Sequence, residues 1–172
     1  MLRECAGPVA IIAATHDSLR AEDDGGAAIA AHLGVDPPAD WPPEYNDAAT
    51  RARTAELLAA SPDNAGWGAW YIVADGRLVG TCGYRGPPVD GLVEIGYSVI
   101  AADQRRGHAS AAVALLVARA WRDPRIEGVT AETLASGVAS QRVLLRSGFA
   151  RAGKRADPDE GEVLRFLLHR PG

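Results

Sequence analysis

The sequence predicts one domain spanning 1–172, of the α/β (α+β) class, with a mixed, mostly antiparallel central sheet flanked by helices. Three observations point there. Short apolar runs bounded by turn residues occur at 69–74, 78–84 and 92–100, the pattern of strands joined by tight turns. A long amphipathic run follows, with Ala109, Ala112, Val113, Leu116, Val117, Ala120 and Trp121 at helical spacing. After it, strand-like and helix-like runs alternate to residue 169, and no segment of domain-linker scale interrupts them. With 172 residues, 47% hydrophobic and 23% charged, the chain suits a single core and is poorly suited to disorder.

Taken in order, the apolar run Val9 to Ala13 reads as a first strand. Thr15 or Asp17 can then cap helical sequence running toward Leu33. Asp23-Asp24-Gly25-Gly26 falls inside that stretch, and a glycine within a helix costs about 1 kcal/mol, so one helix and two short ones both stay open. Gly34 to Pro43 holds Pro37, Pro38, Pro42 and Pro43 and reads as a stiff loop. A helix is expected from Tyr45 or Asp47 to Ala60, ended by Ser61-Pro62.

Asp75-Gly76 is a hairpin signal between the next two strands, and Arg85 to Gly91 forms a second turn. In the third strand Val93, Ile95, Tyr97 and Val99 share one face, and Glu94, Gly96 and Ser98 share the other. The long helix should end near Asp123-Pro124. A strand over Gly128 to Leu134 precedes a short helix from Val138 to Ser147, closed by Gly148 in the left-handed position that suits a helix end. Phe149 to Lys154 and Glu162 to His169 complete the order as two strands.

Charge and cysteines narrow the function classes. A net charge of −4 offers no general attraction to a polyanion, so nucleic acid is not expected as a partner. Cys5 and Cys82 stand far apart, and the four histidines show no ligand spacing, so neither a disulfide framework nor a metal site is signalled. No run approaches the ~20 apolar residues that cross a bilayer. Met1-Leu2-Arg3-Glu4-Cys5 lacks a basic region followed by a long apolar run, so no membrane association is expected and a cytoplasmic location is.

The segment with chemical content is Gln104-Arg105-Arg106-Gly107-His108-Ala109, followed by Ser110, between the third of these strands and the long helix. A helix N-terminus presents unpaired N–H groups and a partial positive charge. Gly107 and Ala109 let a pyrophosphate approach those amides, and Arg105 and Arg106 add charge. Plain turn chemistry is the competing account of the hexapeptide alone. The sequence lacks the strings of a Walker loop and of a dinucleotide-binding turn.

With its context, the segment resembles the GNAT superfamily of N-acetyltransferases, whose signature is Gln/Arg-x-x-Gly-x-Gly/Ala at a strand-to-helix junction. Val93-Glu94-Ile95-Gly96-Tyr97, the loop, and Ser140-Gln141-Arg142-Val143-Leu144-Leu145-Arg146-Ser147-Gly148-Phe149 are similar to the RimJ/RimL-like branch. The resemblance covers about Gly80 to Phe149. It implies a GNAT-like sheet with splayed central strands, acetyl-CoA as cosubstrate, and transfer of acetyl to a primary amine, either a protein N-terminus or a small molecule, by direct attack in a ternary complex. Homodimers are common in that superfamily, which leaves one open here.

The resemblance also suggests roles. Backbone amides at Ser98, Val99 and Ile100 would hold the pantetheine arm or polarise the thioester. Glu94 would act as general base, directly or through water; a salt-bridged strand glutamate is the alternative. Ser140 matches a serine expected near the cofactor sulfur; a helix-start serine is the alternative. Leu144 stands where many superfamily members have a proton-donating tyrosine, and Gly137 stands where the branch has a cofactor-binding asparagine. Those departures keep a non-catalytic acyl-CoA binding or sensing module in view. An unrelated phosphate-ligand domain survives only if the second motif is coincidence. Trp41, held by Pro42-Pro43, is a candidate wall of the acceptor site or a side chain packing its loop onto the core.

Overall fold

The structure, a computed structural model, describes residues 1–172. Eight strands form one sheet: β1 (Arg3–Ala6), β2 (Val9–Ala13), β3 (Ala69–Ala74), β4 (Arg77–Tyr84), β5 (Leu92–Val99), β6 (Gly128–Leu134), β7 (Ala150–Asp157) and β8 (Gly161–His169). Their spatial order is β1-β2-β3-β4-β5-β6-β8-β7. Every neighbouring pair is antiparallel except β5 and β6, which run parallel. The long helix between those two provides the crossover that a parallel pair requires. The helices are α1 (His16–Asp23), α2 (Gly26–Leu33), α3 (Ala48–Ala60), α4 (His108–Ala120) and α5 (Val138–Arg146).

One strand departs from the order read in the sequence, and one open choice is resolved. Arg3–Ala6 is a strand although it has no apolar alternation; it is legible only through its pairing, Glu4 opposite Ile11 and Ala6 opposite Val9. The stretch toward Leu33 is two helices. Gly25 breaks it with φ 104, a conformation that L side chains rarely adopt. The start of α1 is fixed by a reciprocal cap: Ser18 N donates to Thr15 Oγ1 and Thr15 N to Ser18 Oγ.

Both faces of the sheet are covered, and this decides where a site can form. The larger core lies between the sheet and α4 and includes Ile72, Val79, Ile95, Leu116, Leu144 and Phe166. The smaller one joins Leu19, Ile29, Ala30, Tyr71 and Leu78 beneath the early helices. No helix is long and apolar enough to cross a membrane.

The parallel pair is short. β5 and β6 are in register from Leu92 opposite Gly128 to Ile95 opposite Ala131, and no further. Beyond Ile95, β5 stays with β4 as far as Val99, while β6 stays with β8 as far as Leu134. Each strand keeps its outer partner and loses only the inner ladder, leaving a gap with polar backbone edges in the centre of the sheet.

Candidate active site

The loop from Ala101 to Gly107 lies at the end of β5, where the gap opens. Its first turn is anchored by Asp103, 1% exposed, which is ion-paired with Arg77 at the start of β4 and lies 3.5 Å from Arg106 Nη1. Asp103 Oδ2 is buried without a hydrogen-bond partner. Gln104 Nε2 donates to Val99 O at 3.0 Å, tying the loop back to the strand end. Arg105 and Gly107 then take φ of 63 and 85, and such left-handed residues in a turn direct successive N–H groups toward one concavity.

Gly107 is the N-cap of α4 and no side chain caps the helix. Ala111 N donates to Gly107 O at 3.0 Å, so the free amides of the first turn belong to His108, Ala109 and Ser110. A Cβ built on Gly107 meets no atom within 4 Å. The open space, the two left-handed residues and the uncapped helix end together fit a pyrophosphate. Arg106 is drawn toward Asp103, which leaves Arg105 as the side chain of the loop without an ion-pair partner.

The strand amides need a correction. Ile100 N donates to Val79 O and Ile100 O accepts from Asp103 N, so the Ile100 backbone is engaged. Arg85 N donates to Glu94 O and Ile100 N to Val79 O; because an antiparallel ladder alternates, the amides of Gly96 and Ser98 also face β4. The groups facing the gap beyond Ile95 are the amides of Tyr97 and Val99. Of the three residues expected from the resemblance, only Val99 turns its amide to the gap, where the Tyr97 amide also faces; those of Ser98 and Ile100 face β4.

Across the gap stands the first turn of α5. Tyr97 Oη is within reach of two acceptors, donating to Ser140 O at 3.0 Å and lying 2.9 Å from Ser140 Oγ, where either hydroxyl can donate. Leu144 is fully buried in the larger core, so a side chain at that position does not face the gap. Gly137, the N-cap of α5, is crowded: a Cβ there would lie 2.7 Å from Thr133 Oγ1 and 3.1 Å from Leu134 O. Glycine brings α5 tightly against the end of β6, and the Thr133 hydroxyl stands beside the place where an asparagine side chain would begin.

On the opposite face, β4, β5, α3 and the segment just before it line a half-open cavity of about 130 Å³. Tyr45, Asn46, Thr50, Arg53 and Thr54 wall it, and the β5 segment Gly96 to Ser98 forms part of its floor. A Cβ on Gly96 meets nothing within 4 Å, so the floor is open. Tyr45 takes φ 65, a left-handed conformation uncommon outside glycine. Arg85 also lines this cavity, and its Nε lies 2.6 Å from Glu94 Oε1. Glu94 shares the face of β5 that carries Gly96 and Ser98 but does not itself line the cavity; its ion-pair partner Arg85 does.

Trp41 has a different place. Its Nε1 donates to Glu22 Oε1 at 3.1 Å, and its ring packs on the smaller core against Gly26, where an added Cβ would come within 2.6 Å of Trp41 Cβ. It does not line the cavity; it packs its loop onto the core. Glu22, 5% exposed, also accepts from Asn46 Nδ2 at 2.5 Å and Tyr71 Oη at 2.9 Å. Burial pushes its carboxyl up, opposed by those bonds and by Arg51. Trp41 thus reaches the cavity wall only indirectly, through Glu22 and Asn46. No local pattern marks Glu22, an acidic residue in a polar-looking helix.

A strand–loop–helix anion cradle opening onto a gap between splayed parallel strands, with a polar cavity on the other side, defines an acyl-CoA-dependent transferase. The model of the GNAT acetyltransferase domain matches residues 19–150. The chain belongs to the GNAT acetyltransferase family, and its enzyme class is acetyl-CoA-dependent N-acetyltransferase. It is 27% identical over 129 residues, 73% of this chain and 76% of the relative, to the uncharacterized N-acetyltransferase YjdG of Bacillus subtilis (strain 168).

Solved structures with the same fold include a RimL ribosomal alpha-N-protein acetyltransferase in complex with coenzyme A. That likeness has a TM-score of 0.71 and 18% identity, and covers 96% of each chain. A Salmonella typhimurium acetyl transferase that modifies an N-terminal serine of a ribosomal subunit protein has a TM-score of 0.70 and 16% identity over 96% of this chain and 97% of that one. An aminoglycoside acetyltransferase in complex with coenzyme A has a TM-score of 0.55 and 19% identity over 67% and 70%. The fold and the RimJ/RimL-like resemblance agree.

Proposed function

We propose that this N-acetyltransferase binds acetyl-CoA with its pyrophosphate on the amides between Arg105 and Ser110 and transfers acetyl directly to a primary amine seated in the α3-side cavity. The observation that carries this reading is the position of β5, whose residues Gly96 to Ser98 border the gap along one edge and the cavity on one face. A donor in the gap and an acceptor in the cavity would meet at that strand without a covalent enzyme intermediate.

Acetyl-CoA supplies the thioester carbonyl and the departing thiolate. The Tyr97 and Val99 amides, facing the gap, would hold the pantetheine arm or polarise the carbonyl. Glu94 would take the amine proton through a water, because one of its carboxylate oxygens is held by Arg85. Ser140 would hydrogen-bond the sulfur as charge develops there. Thr133 would offer a hydroxyl in place of the amide that Gly137 lacks.

The acceptor is a protein N-terminus or a small-molecule amine. A cavity of about 130 Å³ admits one amine-bearing group rather than a folded surface, which suits a chain end or a small molecule. The protein is proposed to act in the cytoplasm, without nucleic acid or membrane partners. Incubation with acetyl-labelled acetyl-CoA, first with peptides of free N-terminus and then with free amino acids, polyamines and aminoglycosides, tests the reading. Label on an amine nitrogen supports it; label on a protein side chain as a stable enzyme intermediate overturns direct attack.

A further inference from the structure

Tyr97 belongs to β5, two residues past its last pairing with β6, and its ring packs against the larger core beside α4. From there its hydroxyl reaches the first turn of α5, 2.9 Å from Ser140 Oγ and 3.0 Å from Ser140 O. A phenol has one proton to give. When that proton goes to Ser140 O, the serine proton can turn back onto the phenol oxygen and is spent there. When it goes to Ser140 Oγ, the serine proton is free to turn outward. Position 144 offers no competing hydroxyl, since it is a leucine, and its side chain is fully buried in the core.

We infer that Tyr97 is the positioning residue for Ser140, donating its phenol proton to Ser140 Oγ and so turning the serine hydroxyl toward the departing sulfur. This inference rests on the proposed role of Ser140. Burial pushes the Tyr97 phenol up to about 12, so it stays protonated through the neutral range and acts as a donor. In the transfer itself the amine nitrogen bonds to the carbonyl carbon, the C–S bond breaks and its electron pair goes to sulfur. The proton lost from nitrogen balances the one sulfur gains through water, and both hydroxyls keep theirs.

The test is a double-mutant cycle on turnover with acetyl-CoA and an accepted amine, normalised to CoA-binding sites counted by calorimetry so that partial unfolding does not imitate a catalytic loss. Tyr97→Phe keeps the ring and its packing. It should lower kcat about fivefold, the worth of one neutral hydrogen bond, with the acetyl-CoA KM little changed. Ser140→Ala should lower kcat about tenfold, and the double variant should be no slower than Ser140→Ala, because Tyr97 acts only through that hydroxyl. A Tyr97→Phe enzyme with parental kcat overturns the inference and leaves the role of Ser140 standing. So does a double variant slowed by the product of the two effects. Parental kcat in Ser140→Ala overturns the proposed role of Ser140 and this inference with it.

Discussion

Arg85 Nε and Glu94 Oε1 lie 2.6 Å apart, joining the end of the β4 hairpin arm to the cavity face of β5. Both side chains are partly exposed, so the pair contributes little to stability, at most about 1 kcal/mol. Its consequence is orientation: the guanidinium holds one carboxylate oxygen, and on the proposed function the other would bind the water that relays the amine proton. Glu94→Gln should lower kcat about 10- to 100-fold, in the lower range of general-base effects, with CoA affinity nearly unchanged. Arg85→Met should raise the acceptor KM and leave CoA affinity alone. Parental turnover of Glu94→Gln across a pH series would reduce Glu94 to the partner of Arg85.

Gly107 carries the other half of the site. Valine there would fill the open cradle, and its β-branched side chain would have to adopt φ 85, a strain of about 1–2 kcal/mol. Gly107→Val should weaken CoA binding at least about tenfold in calorimetry, while the melting temperature falls only modestly because the loop is at the surface. Equal CoA affinity in parent and variant would move the pyrophosphate elsewhere.

The contrast between these two residues shows what sequence can carry. Gly107 was legible because a small residue between a strand and an amphipathic helix has a specific physical use. β3 and β4 were legible as short apolar runs between turn signals, β5 by its alternation, and α4 by its apolar stripe. Tyr97 was visible only as an inward-facing strand residue: its hydroxyl partner Ser140 lies 43 positions away, and no local pattern encodes that meeting. The amide directions at Ser98 and Ile100 depend on the ladder phase with β4, which side-chain patterning does not report. Trp41 was misleading because a large aromatic in a Pro-rich loop fits a pocket wall or a packing anchor equally well until Glu22 and Gly26 are seen beside it.

Gly137 tests whether the departure from the branch pattern is built in. An asparagine there must displace Thr133 Oγ1 from 2.7 Å, and overpacking of this kind costs about 1–3 kcal/mol. Gly137→Asn should therefore lower the melting temperature, and Thr133→Ala in the same chain should recover most of the loss. A single variant as stable as the parent would show that the α5 start adjusts freely.

Glu22 gives the fold a pH dependence of defined sign. Burial raises its folded-state pKa above the ordinary 4.5, against the lowering bonds from Tyr71, Asn46 and Trp41. The folded protein then holds the proton where the unfolded chain has released it. This group's contribution is fully present below pH 4.5 and is lost as pH rises through the elevated folded value. Denaturant melts from pH 4 upward should show Glu22→Gln with a flatter stability profile than the parent over that window. Parallel profiles would mean that the carboxyl titrates alike in both states.

Free thiol release from acetyl-CoA, followed across peptides with free N-termini, amino acids, polyamines and aminoglycosides, tests the central claim most directly. An acetyltransferase with its donor in the β5–β6 gap and its amine in the α3-side cavity should release thiol in proportion to at least one amine, and Gly107→Val should suppress that release. Tight CoA binding by calorimetry with no amine-dependent release from any class would contradict transfer and leave an acyl-CoA binding or sensing module.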